Sequence, residues 1–305
     1  MTLAAPTSPP DLTPSALDQA VPAVAPPRPA PLFVSVDEVA AHADHFCIID
    51  TRSTRAFSTG VIPGSRQLPL AGLAFDDTSA RALEQLATSV RTALQQRGVC
   101  GDEHLVFVDD TDGSAALGVL LSELAGCRAS VLRGGIAQWS VSGHELEQPQ
   151  THPAATAPWR GAAGANVIAS FEQTRDAAAA GIAVIDTRSQ LEHEGIVGSL
   201  GAAKGNIPES LHLEWSSLFD LTGDLQPVDR IRRMMESIDV RPGDECILYC
   251  NAAHRAAAAL LILRHAGYAQ PRIFLGGWHE WTRRDMPVYP RDAIEDGMAS
   301  GNGAQ

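Results

Sequence analysis

Glu245-Cys246-Ile247-Leu248-Tyr249-Cys250 alternates like a strand, and Asn251-Ala252-Ala253-His254-Arg255 joins it to an Ala- and Leu-rich run ending before Gly267. Cys250 therefore falls at a strand-to-helix turn. The backbone N–H groups of such a turn, backed by the positive end of the next helix, form a concave anion site. That setting favours a thiolate over a thiol. Ala252 and Ala253 leave the turn's backbone accessible, and Arg255 adds a permanent positive charge at its far end. The expected chemistry is nucleophilic, with the Cys250 sulfur ionised and reachable from solvent inside a ring of amides.

The elements that must hold this turn follow from an internal repeat. Four landmarks recur in order, at offsets that stay within 135 to 142 residues. Ser35 with Glu38, and Ser170 with Gln173, open the two copies as capping boxes. Ile49-Asp50-Thr51-Arg52-Ser53 returns as Ile185-Asp186-Thr187-Arg188-Ser189, and Gly101-Asp102-Glu103 as Gly243-Asp244-Glu245. Gly134-Gly135-Ile136-Ala137-Gln138-Trp139 returns as Gly276-Gly277-Trp278-His279-Glu280-Trp281. Within each copy short apolar strands alternate with helical segments. In the second copy the strands are expected at Ala183–Asp186, Cys246–Cys250 and Arg272–Leu275, and the helices at Val228–Ile238 and Arg255–Ala266. Such alternation predicts an α/β fold, a mostly parallel sheet with helices on both faces, in each of two domains. Ligands of open sheets gather at the carboxyl ends of the strands, where Cys250 falls.

The same reading divides the chain into a Pro-rich disordered tail (1–32), an N-terminal domain (33–147), a linker (148–166), a catalytic C-terminal domain (167–291) and a flexible tail (292–305). Matching Ala125-Gly126 to Ala266-Gly267 sets Asp109 opposite Cys250, so the first copy lacks the nucleophile and is expected to be inactive. With 23 Lys and Arg against 36 Asp and Glu, the net charge of −13 argues against nucleic acid or an anionic membrane as partner. No run approaches the roughly 18 apolar residues of a membrane span. Five cysteines are too few and odd in number for a disulfide framework, which suits a reducing cytoplasm.

These features resemble the tandem-domain rhodanese family of sulfurtransferases. The match rests on Asp186-x-Arg188, Ile207-Pro208, the six-residue loop Cys250–Arg255 and the closing Gly276-Gly277-Trp278-x-x-Trp281. The loop is similar to the Cys-x-x-His-His-Arg variety of some bacterial members. The resemblance implies two rhodanese-like domains and transfer of a sulfane sulfur through a persulfide on Cys250. Arg255 would close the loop, and the N–H groups from Asn251 through Ala252, Ala253 and His254 to Arg255 would bind the persulfide. A small donor (thiosulfate, 3-mercaptopyruvate or a persulfide) and a thiol or cyanide acceptor would be the partners, with no cofactor and with the protein a monomer. Thiosulfate-type members carry cationic loop residues and an arginine shortly after Asp-x-Arg, where this chain has Asn251, Ala252 and Glu192. The Gly-Ser-Gly-Val-Thr loop of mercaptopyruvate-type members is absent too. His254 at the rim is expected to help a dianionic donor approach.

Asp186 and Arg188 are expected to be a structural pair supporting the loop, and Trp139 and Trp281 core anchors. Cys246, Cys250 and His254 share a spacing of four, but two such cysteine Cα atoms on a strand lie about 13 Å apart, so no metal is expected. Val108-Asp109-Asp110-Thr111-Asp112-Gly113-Ser114 resembles the Asp-x-Asp motif of haloacid-dehalogenase-type phosphatases, loosely supported by Gly223-Asp224 and Asp229. Cysteine-loop phosphatases have one more residue between Cys and Arg than Cys250–Arg255 does. A non-catalytic adaptor is the remaining alternative.

Overall fold

The computed structural model describes residues 31–70, 72–162, 167–198 and 203–290. The expected tails lie outside these, apart from Pro31, Leu32 and, at the other end, nothing beyond Pro290. In the N-terminal half the strands are β1 (Phe33–Val34), β2 (Phe46–Asp50), β3 (Arg66–Gln67), β4 (His104–Val108) and β5 (Arg128–Leu132). Its helices are α1 (Val36–Ala41), α2 (Thr54–Phe57), α3 (Ala80–Gln95), α4 (Ser114–Ala125) and α5 (Gly135–Val141). The C-terminal half repeats the pattern with α6 (Phe171–Arg175), β6 (Ala183–Asp186), α7 (Gln190–His193), β7 (Leu211–His212) and α8 (Val228–Glu236). It closes with β8 (Cys246–Tyr249), α9 (His254–His265), β9 (Pro271–Ile273) and α10 (Gly277–Arg283). The sheets run β1-β5-β4-β2-β3 and β7-β6-β8-β9, and every strand pair in them is parallel. Ile168 bridges Ile273 in the place that β1 takes in the first copy.

Strand alternation explains how the halves combine. Leu105 and Phe107 of β4, with Cys246 and Leu248 of β8, face one core that spans both domains. Val106 and Val108 point to a second core that also holds Trp139. Ile247 and Tyr249 point to a third with Trp278 and Trp281. Between the sheets lie α4 and α9, which pack together and are apolar on nearly every side, as a helix buried on all faces must be. The two domains thus share an interior, closed at its edge by Arg264 Nη1 donating to Glu123 Oε2 at 2.7 Å.

The segment expected as a linker is strapped to the first domain. Ala155 N donates to Gln95 O, Arg160 N to Cys100 O and Ala162 N to Gly126 O, and the Trp159 indole donates to Ala125 O. Of the expected capping boxes, that of Ser170 with Gln173 is complete, whereas Ser35 only accepts from Glu38 N. The expected strand and helix bounds differ from those found by at most two residues at either end.

Candidate active site

β8 ends at Tyr249, and the chain must turn sharply to start α9 on the inner face of the sheet. The turn is centred on Ala253, at φ 69° and ψ −38°, with His254 N donating to Ala252 O at 2.9 Å. This is a three-residue turn of the rare, strained kind. It removes the His254 amide from the set expected to face an anion. Among the described residues, no protein oxygen accepts from the N–H groups of Asn251, Ala252, Ala253, Arg255 or Ala256. Those five donors surround the start of α9, beside Cys250.

The degenerate copy shows what such amides do. There the Asp109 carboxylate accepts from Thr111 N at 2.9 Å and from Ala115 N at 3.0 Å. Burial pushes the Asp109 carboxyl upward in pKa, partly offset by those amide bonds. In the alignment of the copies, Thr111 and Ala115 correspond to Ala252 and Ala256. Asp109 is engaged by its own loop. A cavity of about 470 Å³ between the domains is lined by Asp109, Gly113, Gly135, Trp215 and Phe219, and not by Cys250.

Three expectations about the Cys250 turn need correcting. Cys250 is only 2% exposed, in the apolar cluster that includes Leu70, so its sulfur is not reachable from solvent in this closed arrangement. From the N-terminal domain, Leu70 O faces His254 Nε2 at 2.9 Å. His254 is not free to receive a donor, because its other ring nitrogen faces Ala252 O at 2.7 Å. Arg255 is not an unpaired cation: Nη1 and Nη2 donate to Glu192 at 2.7 and 3.0 Å. Burial opposes the Arg255 charge, but bonding to Glu192 and the charge of that carboxylate outweigh it, so its pKa is raised.

Asp186 and Arg188 meet the expectation of a structural pair. The Arg188 Nε reaches both Asp186 oxygens, and Nη2 joins Asp186 Oδ2 at 2.6 Å and Gly205 O at 2.7 Å. The guanidinium lies over Trp278 at 4.6 Å, and Tyr249 OH donates to Asp186 at 2.9 Å. Burial would raise the Asp186 pKa, but bonds from His193 and Arg188 hold it at about 2. Arg52 and Asp50 repeat the lock in the first copy, with Arg52 Nη2 on Gly60 O.

Two residues missed in the sequence complete the site. Glu192 caps Ser189, accepting from its N–H and hydroxyl, and also accepts from Asn251 Nδ2 at 2.9 Å. Ser189-x-x-Glu192 is itself a capping-box signature, which was the available signal. Glu280, 0% exposed, accepts from Thr78 N and Oγ1 across the domain boundary and from Arg284. Its only trace in the sequence is an acid where the first copy has Gln138.

Burial would raise the Glu192 pKa, yet bonding to Arg255 and Ser189 lowers it from 4.5 to about 2. A carboxylate depressed on folding contributes stability that is complete above pH 4.5 and lost as pH falls towards 2. Between pH 6 and pH 2.5 the wild type should lose on the order of 2 kcal/mol more than Glu192→Gln in urea unfolding. Parallel pH profiles for the two proteins would refute this coupling.

Residues 35–142 and 170–284 each match the family model described as a rhodanese-like domain. The chain belongs to the rhodanese family, in its tandem-domain form, and is a sulfurtransferase. A thiosulfate sulfurtransferase of Azotobacter vinelandii is 25% identical over 272 residues, covering 85% of this chain and 97% of the relative. A 3-mercaptopyruvate sulfurtransferase of Escherichia coli is 25% identical over 282 residues, covering 85% and 98%. The crystal structure of an Escherichia coli 3-mercaptopyruvate enzyme superposes with a TM-score of 0.67 at 22% identity, over 82% of this chain and 99% of the other. EanB in complex with ergothioneine superposes at 0.73 and 18% identity, over 84% and 69%. Among the described residues, no helix is long and apolar enough to cross a membrane.

Proposed function

We propose that the protein moves a sulfane sulfur from a small donor to a thiophilic acceptor through a persulfide on Cys250. The observation that carries this is the contrast between the two loops. The first loop's amides hold an anionic side chain of its own, Asp109. The equivalent amides of Ala252 and Ala256 are unbonded, and the residue at the equivalent position is cysteine. One sulfur added to Cys250 would give a side chain of about the reach of aspartate, ending in an anion at the same amides.

The Cys250 thiolate attacks the outer sulfur of the donor, forming an S–S bond while the leaving group departs with the electron pair of the bond that breaks. A thiol or cyanide acceptor then takes the outer sulfur and returns Cys250 as thiolate. Asn251, Ala252, Ala253, Arg255 and Ala256 supply the amides, and Asp186 with Arg188 holds the neighbouring strand end. Because Cys250 is only 2% exposed, donor entry requires the packing around it to open.

The test is intact mass after separate incubation with thiosulfate, 3-mercaptopyruvate and glutathione persulfide. At least one donor should add a single sulfur that cyanide or excess thiol removes, and Cys250→Ser should show no gain. Equal sulfur uptake by Cys250→Ser would overturn the reading.

A further inference from the structure

Both arginines assigned to the site are neutralised by carboxylates. Arg255 is paired with Glu192 and Arg188 with Asp186, and both His254 nitrogens face carbonyl oxygens. What remains for an anion is a ring of neutral amides, suited to one terminal sulfur rather than to a group carrying further negative charge. A second feature lies beside it. Asn251 Nδ2 is bound to Glu192, but Asn251 Oδ1 is buried and has no hydrogen-bond partner among the described residues. An unpartnered buried acceptor is costly unless a ligand or water supplies a donor.

We propose that Glu192 and Asn251 set the donor class at Cys250, excluding dianionic donors such as thiosulfate and favouring the persulfide of an aminothiol, whose ammonium group donates to Asn251 Oδ1. The inference rests on the sulfur-carrier reading above. Glu192 acts through Arg255, as a positioning and charge-neutralising residue: its oxygens are filled by Arg255, Asn251 and Ser189. Neutralising Arg255 removes the attraction that would offset repulsion between a dianion and the Cys250 thiolate. In the favoured step, the thiolate attacks the outer sulfur of R–S–SH. The Cys250 Sγ–S bond forms, the S–S bond of the donor persulfide breaks, and the aminothiol leaves as thiolate with the electron pair of that bond. No oxidant or reductant is consumed.

The test measures the second-order rate of sulfur loading on Cys250, by rapid-quench intact mass, with thiosulfate, cysteamine persulfide and 1-propanethiol persulfide. The last two are nearly isosteric and differ in the ammonium group. Comparing donor ratios between variants cancels the donors' intrinsic reactivity. In Glu192→Gln, which can still cap Ser189, the thiosulfate rate relative to propanethiol persulfide should rise at least tenfold over wild type. In Asn251→Leu, the preference for cysteamine persulfide over propanethiol persulfide should fall at least fivefold. Because only ratios within one variant are compared, partial loss of folded protein does not alter the outcome. Ratios unchanged within twofold in both variants, with Cys250 still loading, would overturn this inference and leave the sulfur-carrier reading intact. Failure of wild-type Cys250 to load from any donor would overturn both.

Discussion

Asp186→Asn should destabilise the protein by about 3–5 kcal/mol, the cost of leaving a buried charge without its partner. Arg188 is 1% exposed and Asp186 0%. The substitution keeps the shape of the side chain but removes the charge that three groups use: the Arg188 guanidinium, the Tyr249 hydroxyl and His193. Stacking of Arg188 on Trp278 offsets only part of this, since a desolvated cation–π contact contributes about 2 kcal/mol. The control is Asp102→Asn, which breaks the Arg160 pair where both side chains are half exposed; its cost should stay below about 1 kcal/mol. Guanidinium unfolding midpoints of the two variants compare them directly. A loss under 1 kcal/mol for Asp186→Asn would show that Arg188 finds water or another acceptor in the folded state. Sulfur transfer should fall as well, because Thr187, between the paired residues, donates twice to Tyr249 O, immediately before Cys250.

The architecture was legible because its determinants are local and repeated. Ile-Asp-Thr-Arg-Ser at two positions marks two strand ends, and a cysteine placed after Tyr249 must fall where β8 meets α9. The electrostatics of the site were not legible, because they depend on pairs far apart in the chain. Arg255 reads as a free cation in sequence, and only folding brings Glu192, 63 positions away, onto it. His254 reads as a rim residue until Leu70, 184 positions away, takes its Nε2. The burial of Cys250 has the same origin. A strand end is open in a single domain, whereas here a second domain lies against it through α4 and α9. The near-uniform apolarity of those two helices was a readable sign that both are covered on all sides.

Leu70 of the N-terminal half meets His254 four residues after Cys250, and Glu280, a second contact between the halves, tests whether the N-terminal half controls access to the sulfur. Its carboxylate is 0% exposed and holds Thr78, also 0% exposed, through the backbone N–H at 3.1 Å and the hydroxyl at 2.7 Å. Arg284 donates to it at 2.9 and 2.7 Å from the other side. Thr78 and Leu70 both belong to the N-terminal half and both bond across to the C-terminal half, Thr78 to Glu280 and Leu70 to His254. Glu280→Ala strands two buried donors of Thr78, a loss of about 2–5 kcal/mol, while Arg284 keeps Asp77 as a partner. With one of these cross-domain contacts gone, the halves should part more often and Cys250 should react at least tenfold faster with iodoacetamide, as peptide mapping distinguishes it from Cys100. Glu280→Gln keeps an acceptor for Thr78 without the charge and should fall between Ala and wild type in both measurements. If Glu280→Ala lowers stability while Cys250 alkylation stays at the wild-type rate, the carboxylate merely cements the interface, and access to the sulfur is controlled at the Leu70–His254 contact.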